Sequence, residues 1–145
     1  KGTLTTGMNS IRNSVHDLHD NSVDLFIQLG KLVNDFTFCP IAFDYDMGEI
    51  VDTAIIYAII AIVKEALANI MKHSNASHAT LTAREHPGLY QVIVFDNGTL
   101  KKTDYDKGMG LNNIRVRVES LNGIFNINYQ SGFRLFVSIP KEVKK

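Results

Sequence analysis

Apolar and polar positions recur along this chain with two periods, one near 3.6 residues and one of two, and each predicts its own kind of element. Between Ile11 and Phe36 the positions Ile11, Val15, Leu18, Ser22, Leu25, Leu29, Leu32 and Phe36 follow alternating steps of four and three, a heptad seam broken only by Ser22. A bundle helix is expected there, with a kink or break at Gly30, since glycine costs a helix about 1 kcal/mol relative to alanine, and an end at Cys39-Pro40. From Ile41 to Met47 apolar residues alternate with Ala42, Asp44 and Asp46, the pattern of a half-buried strand. Residues 50 to 72 read as a long helix that is apolar all round from 53 to 63, so it must pack against other elements.

Two strands, 78 to 85 and 89 to 96, flank the turn His86-Pro87-Gly88 and should pair antiparallel. Residues 97 to 108 lack periodicity and predict a mobile loop. A helix from Leu111 carries Ile114, Val118 and Leu121 and should be capped by Asn122-Gly123. Strands Ile124 to Tyr129 and Phe133 to Ile139 close the chain around a Gln-Ser-Gly turn. The order helix, β, α, ββ, loop, α, ββ predicts an α+β sandwich: a mixed, largely antiparallel sheet with helices on one face.

Composition narrows the function classes. A chain of 145 residues with 45% apolar content can bury a self-sufficient core. A net charge of zero gives no reason to expect nucleic acid as a partner. The single cysteine, Cys39, forms no internal disulfide and sits in no zinc spacing, which leads us to expect a reducing, cytosolic setting. The apolar run before Lys64 is about half the ~20 residues that span a bilayer, so a core helix is expected. The chain opens on Lys1 and is expected to be a fragment of something longer.

Within the apolar long helix runs a polar stripe. Glu65, Asn69 and His73 recur every four residues and share one helical face, with Lys72 beside them. Two readings fit the stripe by itself: a cleft, or a helix end emerging into solvent where Lys72 and His73 suit the macrodipole. Asp96-Asn97-Gly98 follows at a strand end, where a carboxylate can accept from an exocyclic amine such as that of adenine, or simply make a turn. Gly108-Met109-Gly110-Leu111 then precedes a helix whose N-terminus favours anions. It matches neither the P-loop nor a dinucleotide fingerprint. Arg115 and Arg117 lie early in that helix, where one could reach a phosphate or both could be solvated.

In this order the three motifs resemble the ATP-binding domain of the gyrase, chaperone, histidine kinase and MutL superfamily, and most closely sensor histidine kinases of the short-lid type seen in nitrate-sensor and DesK-like kinases. The likeness covers roughly residues 40 to 140. Glu65 to Ala76 is similar to the family's N box, Asp96-Asn97-Gly98 to its first glycine box and Gly108 to Gly123 to its second. The resemblance implies a two-layer Bergerat-type fold that takes ATP and Mg²⁺. It implies that Asn69 coordinates Mg²⁺, that Glu65 acts as base or orients the metal shell, and that Lys72 and His73 flank phosphate and nucleotide. Asp96 would hold the adenine amine, while Gly98, Gly108, Met109, Gly110 and Leu111 let backbone close around the ligand. Two positions depart from the pattern: Leu100 stands where a further glycine is usual, and Phe133 where a threonine commonly follows Gly132.

The same resemblance implies transfer of the γ-phosphoryl group to a histidine of a dimerisation bundle and onward to a response-regulator aspartate. A homodimer formed through the upstream bundle, and a cytoplasmic place in a membrane-bound sensor, are implied with it. Leu18-His19-Asp20 looks like an acceptor triplet, but Pro40 and a strand arrive before a second bundle helix could fit. Residues 1–38 are therefore read as the end of a bundle helix and linker, 39–145 as the ATP-binding domain, and the acceptor is expected upstream. A nucleotide-sensing module of the same fold without kinase activity is the alternative.

Overall fold

A computed structural model describes residues 24–99 and 110–141. Its elements are α1 (Leu25–Asp35), β1 (Ile41–Asp46), α2 (Thr53–His73), β2 (Ala79–His86), β3 (Leu89–Asp96), α3 (Leu111–Glu119), β4 (Ile124–Asn128) and β5 (Phe133–Pro140). The strands form one five-stranded sheet in the order β1-β2-β3-β5-β4. β1 runs parallel to β2 through the α2 crossover, and the other neighbours are antiparallel. The α+β sandwich with a mixed sheet is thus what the hydrophobic periods foretold.

Register decides which face is buried. Ala79, Leu81 and Ala83 of β2 align with the row Asp96, Val94 and Val92 of β3, which in turn aligns with Phe133, Leu135 and Val137 of β5. All nine are buried, and the apolar ones join α2 residues Ile55, Ile59, Ile62, Val63 and Ile70 in one core. Asp96 is the last member of the row Tyr90, Val92, Val94, so the period-two rule turns its carboxylate inward beneath the helices. By length and composition α2 could cross a membrane, but its buried side chains make it the core helix of this domain.

α1 corrects the expectation of one helix from Ile11 to Phe36. Asp24 is extended and its carboxylate accepts from Ile27 N at 3.3 Å, so a new helix starts at Leu25. Ser22, which interrupts the seam, lies just ahead of that cap. Residues 11–23 of the expected helix lie outside the described residues. The helix also passes through Gly30 without a break, because Leu25 and Leu29 are buried in the domain core and Phe26 stacks on Phe43 of β1 with ring centroids 5.8 Å apart. Tertiary packing there outweighs the glycine penalty.

α3 is shorter than its pattern. It ends at Glu119, and Leu121 falls in the following turn. Asn122, at φ 63°, takes the left-handed position while Gly123 N donates to Val118 O at 2.9 Å, so the Asn-Gly pair does close the helix, with asparagine in the strained place. Gly123 is needed for space: a Cβ there would stand 2.5 Å from Ser138 O.

Candidate functional site

The polar stripe of α2 runs along a face closed by a different element at each end. Glu65, half-buried, lies against Gly110, the residue that caps α3: a Cβ added at Gly110 would collide with Glu65 Oε2. Gly110 has φ 77°, and α3 begins with no side-chain cap on its first turn. One turn further along α2, Asn69 is buried and its Nδ2 has no hydrogen-bond partner. Lys72 and His73 form the exposed last turn.

At the other end Asp96 is fully buried. Its Oδ1 accepts from Gly98 N at 2.7 Å and from Ser74 Oγ at 3.2 Å, which joins the strand end to the C-cap of α2. Gly98 has to be glycine, since a Cβ would lie 2.6 Å from Ser74 Oγ and 2.8 Å from Asp96 Oδ1. Asn97 fastens the neighbouring turn, its Oδ1 accepting from Ser77 N and His78 N at 2.9 and 3.0 Å. Asn75 donates to Thr99 Oγ1 and accepts from Thr99 N, both at 2.8 Å.

The structure therefore sets Glu65 against Gly110 and Asp96 against Gly98, with Asn69 buried between Glu65 and the last turn of α2, and seats Leu111 as the buried first residue of α3. Gly108 and Met109 lie outside the described residues, as do Leu100, His19 and most of the loop expected to be mobile. Arg115 lies over the Phe125 ring at 4.9 Å and so packs onto β4. Arg117 instead lines a groove of about 700 Å³ between α2 and α3, together with Lys64 and Glu65. Burial and the negative charge of Asp96 push the Cys39 thiol above its ordinary value.

Sequence reasoning missed Ser74, Asn75 and Thr99. A signal was present: a Ser-Asn pair directly after a helix is turn and capping chemistry, and such side chains seek nearby backbone partners.

A divalent cation suits this donor set. The side-chain oxygens of Glu65 and Asn69, one turn apart on α2, offer a few donors and no cage, which is how Mg²⁺ is bound when substrate phosphates and water complete its shell, while the orphaned Asn69 Nδ2 is a hydrogen-bond donor that suits a phosphate oxygen. Among the described residues no cluster of His, Cys, Asp and Glu suggests a tighter metal site.

Comparison with known proteins agrees with the fold. The model superposes on the ATP-binding domain of PrrB from Mycobacterium tuberculosis with a TM-score of 0.65 at 19% identity, covering 81% of this chain and 94% of that one. In sequence the chain is 35% identical over 79 residues to the histidine-protein kinase/phosphatase UhpB of Salmonella typhimurium, covering 54% of this chain and 16% of UhpB. It is 34% identical over 83 residues to the sensor histidine kinase DesK of Bacillus subtilis, covering 56% of this chain and 22% of DesK. No protein-family model matches the chain. The fold is that of solved histidine kinase ATP-binding domains, and the sequence is similar to part of these sensor histidine kinases. The chain spans less than a quarter of the length of these two curated relatives.

Proposed function

We propose that this chain is the ATP-binding catalytic part of a sensor histidine kinase. The observation that carries the reading is the buried Asn69 amide nitrogen, left without a partner on the face that runs from Glu65 at the start of α3 to the fixed carboxylate of Asp96. An orphaned buried donor costs a fold about 1 to 3 kcal/mol, and its retention is explained when an oxygen of a phosphate-bearing ligand accepts from it.

In this reading Asp96 accepts from the exocyclic amine of adenine. The N-terminus of α3 at Gly110 and Leu111 receives phosphate oxygens, as an uncapped helix start favours an anion. Lys72 and His73 flank the nucleotide from the last turn of α2, and Gly108 and Met109 complete the backbone cradle. Asn69 would hold Mg²⁺ through its side-chain oxygen, and the cation would supply charge neutralisation for the transferred group. Glu65 holds the surrounding water or takes the imidazole proton as the acceptor nitrogen bonds to the γ-phosphorus and the bond to the departing ADP breaks. The phosphoryl group would then pass to a response-regulator aspartate. Residues 1–38 are proposed as the end of a dimerisation-bundle helix and linker, 39–145 as the ATP domain, and the whole as a cytoplasmic part of a membrane-bound homodimeric sensor.

The alternative is a nucleotide-sensing module of the same fold without transfer; in either reading Phe133, whose buried ring pairs in register with Asp96 where the resemblance implies a threonine, lowers nucleotide affinity by one lost hydroxyl contact. Calorimetric titration of the chain with ADP, with and without Mg²⁺, tests the shared premise. Heat at micromolar to millimolar nucleotide that falls on chelation is expected, and its complete absence overturns both. Autophosphorylation of the longer protein separates them.

A further inference from the structure

Asp96 is held from the α2 side by a residue outside the nucleotide contacts assigned above. Ser74 caps α2, its backbone N–H donating to Ile70 O at 3.0 Å. Its Oγ accepts from Ala76 N at 2.9 Å, and its hydroxyl proton points to Asp96 Oδ1 at 3.2 Å. A hydroxyl has one proton to give. With Ala76 N–H occupying the oxygen, the direction of that proton is fixed toward the carboxylate. Gly98 N reaches the same Oδ1 at 2.7 Å, so two donors converge on one oxygen and restrain rotation of the carboxylate about its own axis.

We propose that Ser74 is a positioning residue for base recognition: by orienting Asp96 it makes the site select a purine bearing an exocyclic amine over one bearing a carbonyl at the same place. This rests on the nucleotide reading above. A carboxylate only accepts, so it pairs with an amine and repels a carbonyl oxygen, but the preference is sharp only when the carboxylate plane is fixed. Without the hydroxyl, Oδ1 of Asp96 loses one of the donors that orient it. Ser74 also continues directly from Lys72 and His73, so the proposed phosphate side and base side of the site share one hydrogen-bonded strut.

The test measures ADP and inosine diphosphate affinities, with Mg²⁺, for the wild type, Ser74→Ala, Ser74→Thr, Asp96→Asn and the Ser74→Ala/Asp96→Asn double variant, each checked by its thermal melt. Loss of one supporting hydrogen bond should weaken ADP about 5-fold in Ser74→Ala. Inosine diphosphate should bind it as it binds the wild type, so discrimination falls by the same factor. Ser74→Thr should restore it. On the Asp96→Asn background, Ser74→Ala should add nothing. Equal weakening of both nucleotides, unchanged discrimination, or a full Ser74→Ala effect in the double variant overturns the positioning role. A wild type that binds neither nucleotide overturns the nucleotide reading itself, and that failure is seen before any Ser74 variant is compared.

Discussion

Asn69 sets stability against function at a single residue. Its amide is 2% exposed and its Nδ2 is unpartnered, a cost of about 1 to 3 kcal/mol for a buried donor. Asn69→Leu, similar in volume and free of polar atoms, should therefore raise the melting temperature while abolishing Mg²⁺-dependent nucleotide binding. A lower melting temperature would show that the amide is satisfied in solution. Asp96→Asn should leave the fold intact and weaken nucleotide by roughly 10- to 150-fold, the worth of a hydrogen bond to a charged group; unchanged affinity would reduce Asp96 to a turn residue. Gly110→Ala should destabilise by about 1 to 2 kcal/mol from its left-handed backbone, before counting the displacement of the Glu65 carboxylate. A melt indistinguishable from wild type would mean that the α3 start is differently arranged.

The elements around the site are joined by aromatic and ionic contacts that respond to pH. α1 docks on β1 through Phe26, whose ring lies 5.8 Å from Phe43 and 5.0 Å from Tyr45. Burial, with the negative charges of Asp24 and Glu85, pushes the Tyr45 phenol up from 10.0 to about 12. The folded state thus holds this proton more tightly than the unfolded chain does, so the contribution is complete below 10.0 and is lost as pH rises toward about 12. Melts taken from neutral to strongly alkaline pH should show a fall that Tyr45→Phe reduces. An equal fall in the variant would place the alkaline sensitivity elsewhere. At the far end of the sheet Glu85 accepts from Lys141 Nζ at 2.5 Å and Gly48 N at 2.6 Å, which lowers its pKa and ties β2 to the end of β5.

For the whole molecule, a ligand that binds only the folded state adds stability by mass action, about 2.7 kcal/mol at a hundredfold excess over Kd. ADP with Mg²⁺ should accordingly raise the melting temperature in proportion to the logarithm of its concentration, and chelation should remove most of that shift. The chain alone should not label itself on His19. In-line transfer needs the acceptor held opposite the γ-phosphate, and a histidine on the segment leading into its own ATP domain is poorly placed for it. Acid-labile phosphate that appears with labelled ATP and disappears in His19→Gln would refute this, whereas a longer protein should label an upstream histidine.

Local pattern alone determined the element order, because the periods of β1, α2, β2 and β3 are strong and their turns carry ordinary turn chemistry. It also exposed Glu65, Asn69 and His73 as one helical face and set Asp96 at the end of an apolar strand. What it could not fix depends on contacts between segments distant in sequence. Ser74 meets Asp96 across 22 positions, and Glu65 meets Gly110 only once α3 is packed beside α2. The heptad seam overran Asp24 because a period of apolar residues does not register a cap. Gly30 sits in an unbroken helix because burial of Leu25 and Leu29 outweighs an intrinsic penalty of about 1 kcal/mol. Periodicity tells each residue which side of its own element it occupies, while the partner on the other side is chosen by the sheet register and helix packing, which are properties of the assembled fold.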